Sequence, residues 1–327
     1  MLGVISRVAT RCLRQLAVCL ALGVAAIGQA GAVDLRQGLL WEVKRSGVPV
    51  SYVYGTIHSD DPRALALLDA ALPYMDTCTT MTTEVILDAQ SARQSAHVMT
   101  LGDGRTLRET LGDALFGKVV ALLQPRGLPE QQLDRLKPWA VMTILAYPES
   151  KSGKVVDSML AEWAAQEGKP VRALESVAEQ LDALDGLSET DQIELLRSTV
   201  EGADQLPKLM DDLLDAYAAQ DLSALERLSM AQVGSVTELV EARFLDRLLY
   251  TRNRRMVERM KSVLEKGGAC VAVGALHLSG DAGVLRKLSQ QGYQLVPRLL
   301  TTSRPTSRAA PPAASTHKSP GNTLAGP

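Results

Sequence analysis

The sequence predicts an α/β protein in which a mixed β-sheet core, drawn from N-terminal and C-terminal segments, carries a large helical middle region. Three observations predict it. Short apolar runs rich in β-branched and aromatic residues cluster near both ends of the chain. Between them, apolar residues recur at three- and four-residue spacing over long stretches, as in helices buried on one face. The two strand-rich ends also share a short motif, Gly-x-x-His, in the same local setting.

The first segment reads as targeting rather than fold. Arg7, Arg11 and Arg14 accompany an apolar run at 16–27, no acid occurs before Asp34, and Ala30-Gly31-Ala32 supplies a small-residue cleavage site. The expectation is a signal peptide over 1–32 and a chain that is exported, periplasmic or secreted, after cleavage near Ala32. Val18 stands where a lipoprotein leader needs a smaller residue, which argues against lipid attachment at Cys19. No later stretch is long and apolar enough to span a bilayer.

Residues 39–43 and 49–54 flank Ser46-Gly47 and read as a hairpin. Residues 79–87 form a further strand, with Thr82, Thr83 and Val85 suited to a pleated surface. Helical spacing covers 106–124 and 129–147, and 155–166 is another helix, stopped by Gly168 and Pro170. A short strand at 171–174 precedes the stretch 187–266, several helices with little strand character, read as a helical insertion. Strand character returns at 269–273, 281–290 is helical, and 293–300 is a last strand after Gly292. From 303 to 327 Pro, Ala, Ser, Thr and Gly dominate, a composition that cannot bury enough apolar surface to order itself. One domain over 33–302 is therefore expected, followed by a disordered tail.

Composition narrows function. The 327 residues are 46% hydrophobic and 22% charged with a net charge of -2, which leaves no electrostatic case for binding a phosphate backbone, so nucleic acid is not an expected partner. Aromatics at 4% argue against carbohydrate platforms and single-strand stacking surfaces. Cys12 and Cys19 fall in the leader, so Cys78 and Cys270 remain, as one bridge or as two buried thiols.

The chemical signal is the repeat. Gly55-Thr56-Ile57-His58 and Gly274-Ala275-Leu276-His277 each end a β run and are followed by Ser59-Asp60 and Ser279-Gly280-Asp281. With four histidines and 25 glycines in the chain, chance gives about 0.3 such motifs. Glycine after a strand permits a positive-φ turn or a close backbone approach. The imidazole three residues on then projects at the carboxyl edge of the sheet, where open α/β sheets place ligands. A lone motif is more often a hydrogen-bonded loop histidine; the matched pair predicts one shared site.

A site built on two histidines needs a carboxylate. Glu84 interrupts the apolar run Met81-Thr82-Thr83-Glu84-Val85-Ile86-Leu87, where a charge is costly without a partner; its bland reading is a solvent-facing edge position. Glu175 at the end of the 171–174 strand is a second candidate, while Asp157 reads first as a partner of its helix's N-terminal dipole. Two histidines with one or two carboxylates suit a divalent metal with an open position for water, and hydrolysis is the natural reaction.

At these residues the sequence resembles the TraB/GumN family, which includes the TIKI-type metalloproteases and is related to EreA/ChaN-like hydrolases. The resemblance covers about 35–300 and rests on Leu40-Trp41-Glu42-Val43, Tyr54 to His58, Glu84, Lys137-Pro138-Trp139, Gly153 with Asp157, Leu174-Glu175-Ser176 with Gln180-Leu181, Arg252-Asn253, Val273 to Gly280, and Gly292-Tyr293. It implies an EreA/ChaN-like fold and a metal-dependent hydrolytic centre with His58, Glu84 and His277 as metal ligands. Glu175, Arg252 and Asn253 are implied as catalytic neighbours, and Gly55, Gly274 and Asp157 as support. Mn, Co or Zn is the implied cofactor, and a peptide or small molecule the implied substrate. Two departures stand out: Thr82-Thr83 precede the glutamate where an apolar pair is more usual, and Met256 follows Arg-Asn where an aromatic is common.

With both motifs at one sheet edge, Cys78, six residues before Glu84, and Cys270, seven before His277, fall near the opposite edge, and a bridge between them is feasible if their strands are neighbours. Other residues read blandly: His97 as a surface histidine, His317 as part of the tail, Lys137-Pro138-Trp139 as a packing corner. Arg252 either pairs with a site carboxylate or stabilises an oxyanion, and Arg252, Arg254, Arg255 and Arg259, interleaved with Glu258 and Glu265, read as a solvated helix face. The leading expectation is an exported metal-dependent hydrolase, with peptidase activity as its narrower form. A non-catalytic peptide- or signal-binding regulator, as in TraB-type members, and a metal or haem carrier are the alternatives.

Overall fold

A computed structural model describes residues 33–302 except 87, 103, 148–151 and 234–235. The expected leader over 1–32 and tail over 303–327 lie outside the described residues. Strand β1 (Leu40–Lys44) turns back through Gly47, at φ 83°, into β2 (Ser51–Thr56). The pair is antiparallel in the register Leu40 to Tyr54 and Val43 to Ser51, so the hairpin forms where the sequence places it. Helix α1 (Pro62–Met75) follows, its N-terminus set by the Asp61 cap and Pro62, and leads to β3 (Thr80–Thr83). Helices α2 (Ala89–Val98), α3 (Leu107–Leu111), α4 (Asp113–Leu123), α5 (Glu130–Leu133), α6 (Pro138–Ala146) and α7 (Val156–Gln166) then cross over to β4 (Val171–Ala173). A second crossover, α8 (Val177–Asp185), α9 (Glu189–Glu201), α10 (Leu206–Ala218), α11 (Leu222–Val233), α12 (Glu238–Leu245), a π-helical turn (Asp246–Tyr250) and α13 (Thr251–Leu264), leads to β5 (Ala269–Gly274). The single turn α14 (Ala275–Leu278), α15 (Val284–Gln290) and β6 (Gln294–Arg298) complete the chain.

The sheet order is β4-β3-β5-β2-β1-β6. The first four strands are mutually parallel, and β1 runs against both β2 and β6. This is the mixed α/β architecture the sequence predicts, with N- and C-terminal strands interleaved. Interleaving follows from burial: β2 and β5 are largely apolar and buried along nearly their whole length, so they must be covered on both faces, which central positions provide.

No helix is expected from the sequence where α1, α2 and α8 form, and three of the expected elements end early or break. The strand expected over 79–87 ends at Thr83, where the Thr83 hydroxyl donates to Val85 O at 2.9 Å and turns the chain away, leaving Glu84 just beyond the strand. The helix expected over 106–124 breaks at Gly112, whose φ of 75° no helix accommodates. The helix expected over 129–147 breaks before Pro138, which has no N–H to continue the ladder.

Two hydrophobic cores result. One lies on the sheet and gathers α1, α7, α10, α13 and α15 around Trp41, Tyr54, Met81 and Val273. The other is purely helical and joins α3, α4 and α6 to α9 and α12 around Phe116, Leu133 and Leu196. The helical layer therefore draws on both crossovers, while α10, α11 and α13 belong with the sheet. Gln220, at φ 55°, ties the ends together: its carbonyl accepts from Gly38 N at 2.9 Å, and its side-chain amide exchanges two hydrogen bonds with the Leu300 backbone. Cys78 and Cys270 form a disulfide with Cα atoms 5.6 Å apart, across 192 residues of sequence. Among the described residues, no helix is long and apolar enough to cross a membrane.

Candidate functional site

Register brings the motifs together. Thr56 of β2 pairs with Gly274 of β5, so the two Gly-x-x-His segments leave adjacent parallel strands at the same carboxyl edge. Thr82 pairs with Val271 and Thr83 with Ala173, which puts Glu84 and Glu175 just past the ends of the next two strands. Such an edge is where open α/β sheets collect ligands. Neither motif glycine uses a positive φ; the close-approach alternative holds for Gly55. A Cβ there would lie 2.8 Å from Leu278 Cδ1 and 3.0 Å from Ala275 Cα, so α14 packs directly on the first motif's glycine. On its other side, Tyr217 donates its hydroxyl to Gly55 O at 2.8 Å and meets Tyr54 Oη at 3.0 Å.

His277 is buried in α14. Its Nδ1 lies 2.6 Å from Asn253 Oδ1, and Asn253 Nδ2 donates to Ala282 O at 3.0 Å. That second bond fixes the amide oxygen toward the ring, so Nδ1 carries the proton and Nε2 keeps a lone pair. Burial pushes the His277 pKa down to about 4, so the ring is neutral near pH 7. Its Nε2 faces Glu84 Oε1 at 3.6 Å.

Glu84 is an anion in a low-dielectric setting. Burial alone would raise its pKa, but His277, Arg252 and the Gly274 amide outweigh that and bring it to about 2. Arg252 Nη2 donates to Oε2 at 2.7 Å, Gln180 Nε2 to the same oxygen at 3.0 Å, and Gly274 N to Oε1 at 2.7 Å. With His277 neutral, Arg252 and the Gly274 N–H hold the charge near pH 7. Arg252 also donates through Nε to Glu175 at 2.8 Å, and Arg255 Nε reaches the other Glu175 oxygen at 2.9 Å. Glu175 is fully buried between the two guanidiniums.

The expected solvated arginine face is therefore corrected in part. Arg252 and Arg255 turn inward onto buried acids, while Arg259, though it holds Leu174 O and Glu179, stays exposed with Arg254. The spacing of Arg252, Arg255 and Arg259 by three and four residues was readable; the acids they serve, about eighty positions away, were not.

His58 is set differently, its side chain 58% exposed. Its Nδ1 lies 2.9 Å from Asp157 Oδ2, and Thr56 donates to Asp157 Oδ1 at 2.6 Å. The Asp157 hydrogen bond outweighs burial and raises the His58 pKa. Asp157 thus does more than face its helix dipole from the first turn of α7.

Hydrogen bonds join Glu84, Arg252 and Glu175 in one set and His277 with Asn253 in another, the two sets facing each other through His277 Nε2 and Glu84 Oε1, and the His58–Asp157 pair lies within electrostatic reach of Glu84. Among the described residues, no three histidine, cysteine, aspartate or glutamate side chains stand close enough together to hold a metal ion. Lys137 and Trp139 both donate to Asp185, as a packing corner would, and His97 is exposed. Sequence reasoning missed the contacts of Thr56 and Gln180, although both lie in segments it singled out. It missed Tyr147 altogether, whose ring centroid lies 6.0 Å from that of His58.

The chain is 26% identical over 316 residues to "Metalloprotease TIKI1" of Homo sapiens, covering 78% of this chain and 61% of that protein. It is 26% identical over 317 residues to "Metalloprotease TIKI2" of Danio rerio, covering 78% and 60%. It is 23% identical over 312 residues to a "Metalloprotease TIKI homolog" of Nematostella vectensis, covering 78% and 66%. The chain spans less than two thirds of the length of these relatives. No solved structure matches it. The model of the TraB/PrgY/gumN family matches residues 39–297, both histidine motifs and every strand but the last residue of β6 included, and the chain belongs to that family.

Proposed function

We propose that this protein is an exported metal-dependent hydrolase acting on peptides. One observation carries the reading: two electron-pair donors, the bare Nε2 of His277 and the ionised Oε1 of Glu84, face each other at 3.6 Å with no proton between them near pH 7. Such a pair is completed by a cation. A neutral imidazole and a carboxylate held ionised by Arg252 are donors that Mn, Co or Zn accept, and His58, whose Nδ1 is engaged by Asp157, completes the set in this reading only by moving toward them. A bound divalent ion supplies Lewis acidity toward water and a scissile carbonyl.

The chain's own residues do the rest. Asn253 fixes the His277 tautomer, Asp157 and Thr56 orient His58, and Arg252 with Glu175 keeps Glu84 charged. The disulfide supports an oxidising compartment and hence export. The relatives named as metalloproteases support the peptide substrate.

Elemental mass spectrometry of the purified mature protein tests this, on wild type, His58→Ala, Glu84→Ala and His277→Ala. About one equivalent of metal in the wild type, lost in all three variants, is the expected result. Absence of metal from every form after incubation with Mn, Co and Zn would sink the reading and leave ligand capture as the function to test.

A further inference from the structure

Hydrolysis of an acyl bond gathers negative charge on the carbonyl oxygen, and an enzyme answers it with hydrogen-bond donors aimed at that oxygen. The donors around Glu84 are turned elsewhere. Arg252 directs Nε, Nη1 and Nη2 at Glu175, Leu248 O and Glu84, Asn253 Nδ2 serves Ala282 O, and Gln180 Nε2 serves Glu84. Of the two roles open to Arg252 in the sequence, the structure selects the carboxylate partner.

Tyr147 is placed to fill the gap. It follows α6 directly, and the backbone there is clamped: Arg126 Nη1 donates to Ile144 O at 2.9 Å and to Tyr147 O at 3.2 Å. The other end of α6 is anchored by Lys137 and Trp139 on Asp185. From this fixed position the ring lies 6.0 Å from the His58 ring and tilted to it by 50°. Half of the residue is exposed, as access to substrate requires. A phenol, with an ordinary pKa of about 10, keeps its proton near pH 7, which suits a donor and not a base.

Resting on the hydrolytic reading above, we propose that Tyr147 is a catalytic residue whose hydroxyl donates a hydrogen bond to the scissile carbonyl oxygen as charge develops there. The proton stays on the phenol throughout, and no bond to Tyr147 forms or breaks.

The test compares wild type, Tyr147→Phe and His277→Ala in the mature, metal-loaded protein. Each is measured for peptide-library turnover, metal content, melting temperature and calorimetric binding of methylphosphonate, a small tetrahedral oxyanion. For Tyr147→Phe the proposal expects kcat lower by about 10²- to 10³-fold with KM within about twofold. It also expects methylphosphonate binding at least about tenfold weaker, with metal content and melting temperature unchanged. Wild-type kcat in Tyr147→Phe, or a loss of kcat that tracks lost metal or a lowered melting temperature, overturns the role of Tyr147 alone. A metal-loaded wild type that cleaves nothing overturns the hydrolytic reading and this role with it.

Discussion

His58 and His277 stand in the same motif on adjacent strands, yet the protein treats them oppositely. His277 is buried, bonded to a neutral amide and driven down to about pKa 4; His58 is open to solvent, bonded to a carboxylate and raised. The motif therefore fixes where an imidazole leaves the sheet, and the residues that α7 and α13 bring to it fix its charge. A neutral buried ring facing an ionised carboxylate is fixed in place, whereas a solvated ring held by Asp157 can adjust its position toward them.

Four measurements break or sharpen this contrast. The largest effect tests whether it is local. Removing the disulfide by Cys78→Ala with Cys270→Ala opens a loop of 192 residues, which loop-closure entropy values at about 5 kcal/mol. Denaturant unfolding should show that loss, while the two histidine pKa values, followed by NMR, should stay apart; convergence would show that the contrast depends on global rigidity.

Next, Arg252→Ala leaves Glu84 and Glu175 without their shared guanidinium in a buried setting, a loss of about 3–5 kcal/mol. Urea titration checks the stability, and His277 should then titrate above 4, because the positive charge that opposes its protonation is gone. An unchanged His277 pKa would assign its depression to burial alone.

The two rings also bend stability against pH in opposite directions. In metal-stripped protein, His277 binds fewer protons folded than unfolded between about pH 6.5 and about pH 4. Its contribution is complete above 6.5 and fades as pH falls, by about 3 kcal/mol at pH 4. His58, with a raised pKa, contributes below 6.5 and loses that contribution as pH rises through its folded value. Stability curves of His277→Gln and His58→Gln against the wild type should tilt oppositely; parallel curves would refute the assigned environments.

The smallest effect exchanges the partners. Asp157→Asn should lower the His58 pKa toward 6.5, and Asn253→Asp should raise that of His277. NMR titration of the ring protons reads both, and a shift at only one histidine would show which partner merely fills space.

How much of this was legible follows from the range of each interaction. Strand identity, the hairpin and the repeated motif depend on neighbours in sequence, so Gly55, His58, Gly274 and His277 announced themselves. Glu84 was visible as a charge in an apolar run, although the strand was drawn too long because the Thr83 turn depends on one hydroxyl. The opposite burial of the two histidines was not legible, since Asp157 and Asn253 reach them across tertiary contacts. Nor was Tyr147, which has no local anomaly and gains its place from Arg126 and Asp185. The breaks at Gly112 and Pro138 were in plain sight and were overridden by the apolar periodicity around them.

The pairing of β2 with β5 has a further consequence. Because two neighbouring strands carry the histidines while α7 and α13 supply Asp157, Arg252 and Asn253, it is the separate helical core of α3, α4, α9 and α12 that can be lengthened, trimmed or replaced without disturbing the motif ends or their partners. The reactive edge with its two attendant helices and the outer helical layer are then free to diverge at different rates: a constant floor beneath an interchangeable roof.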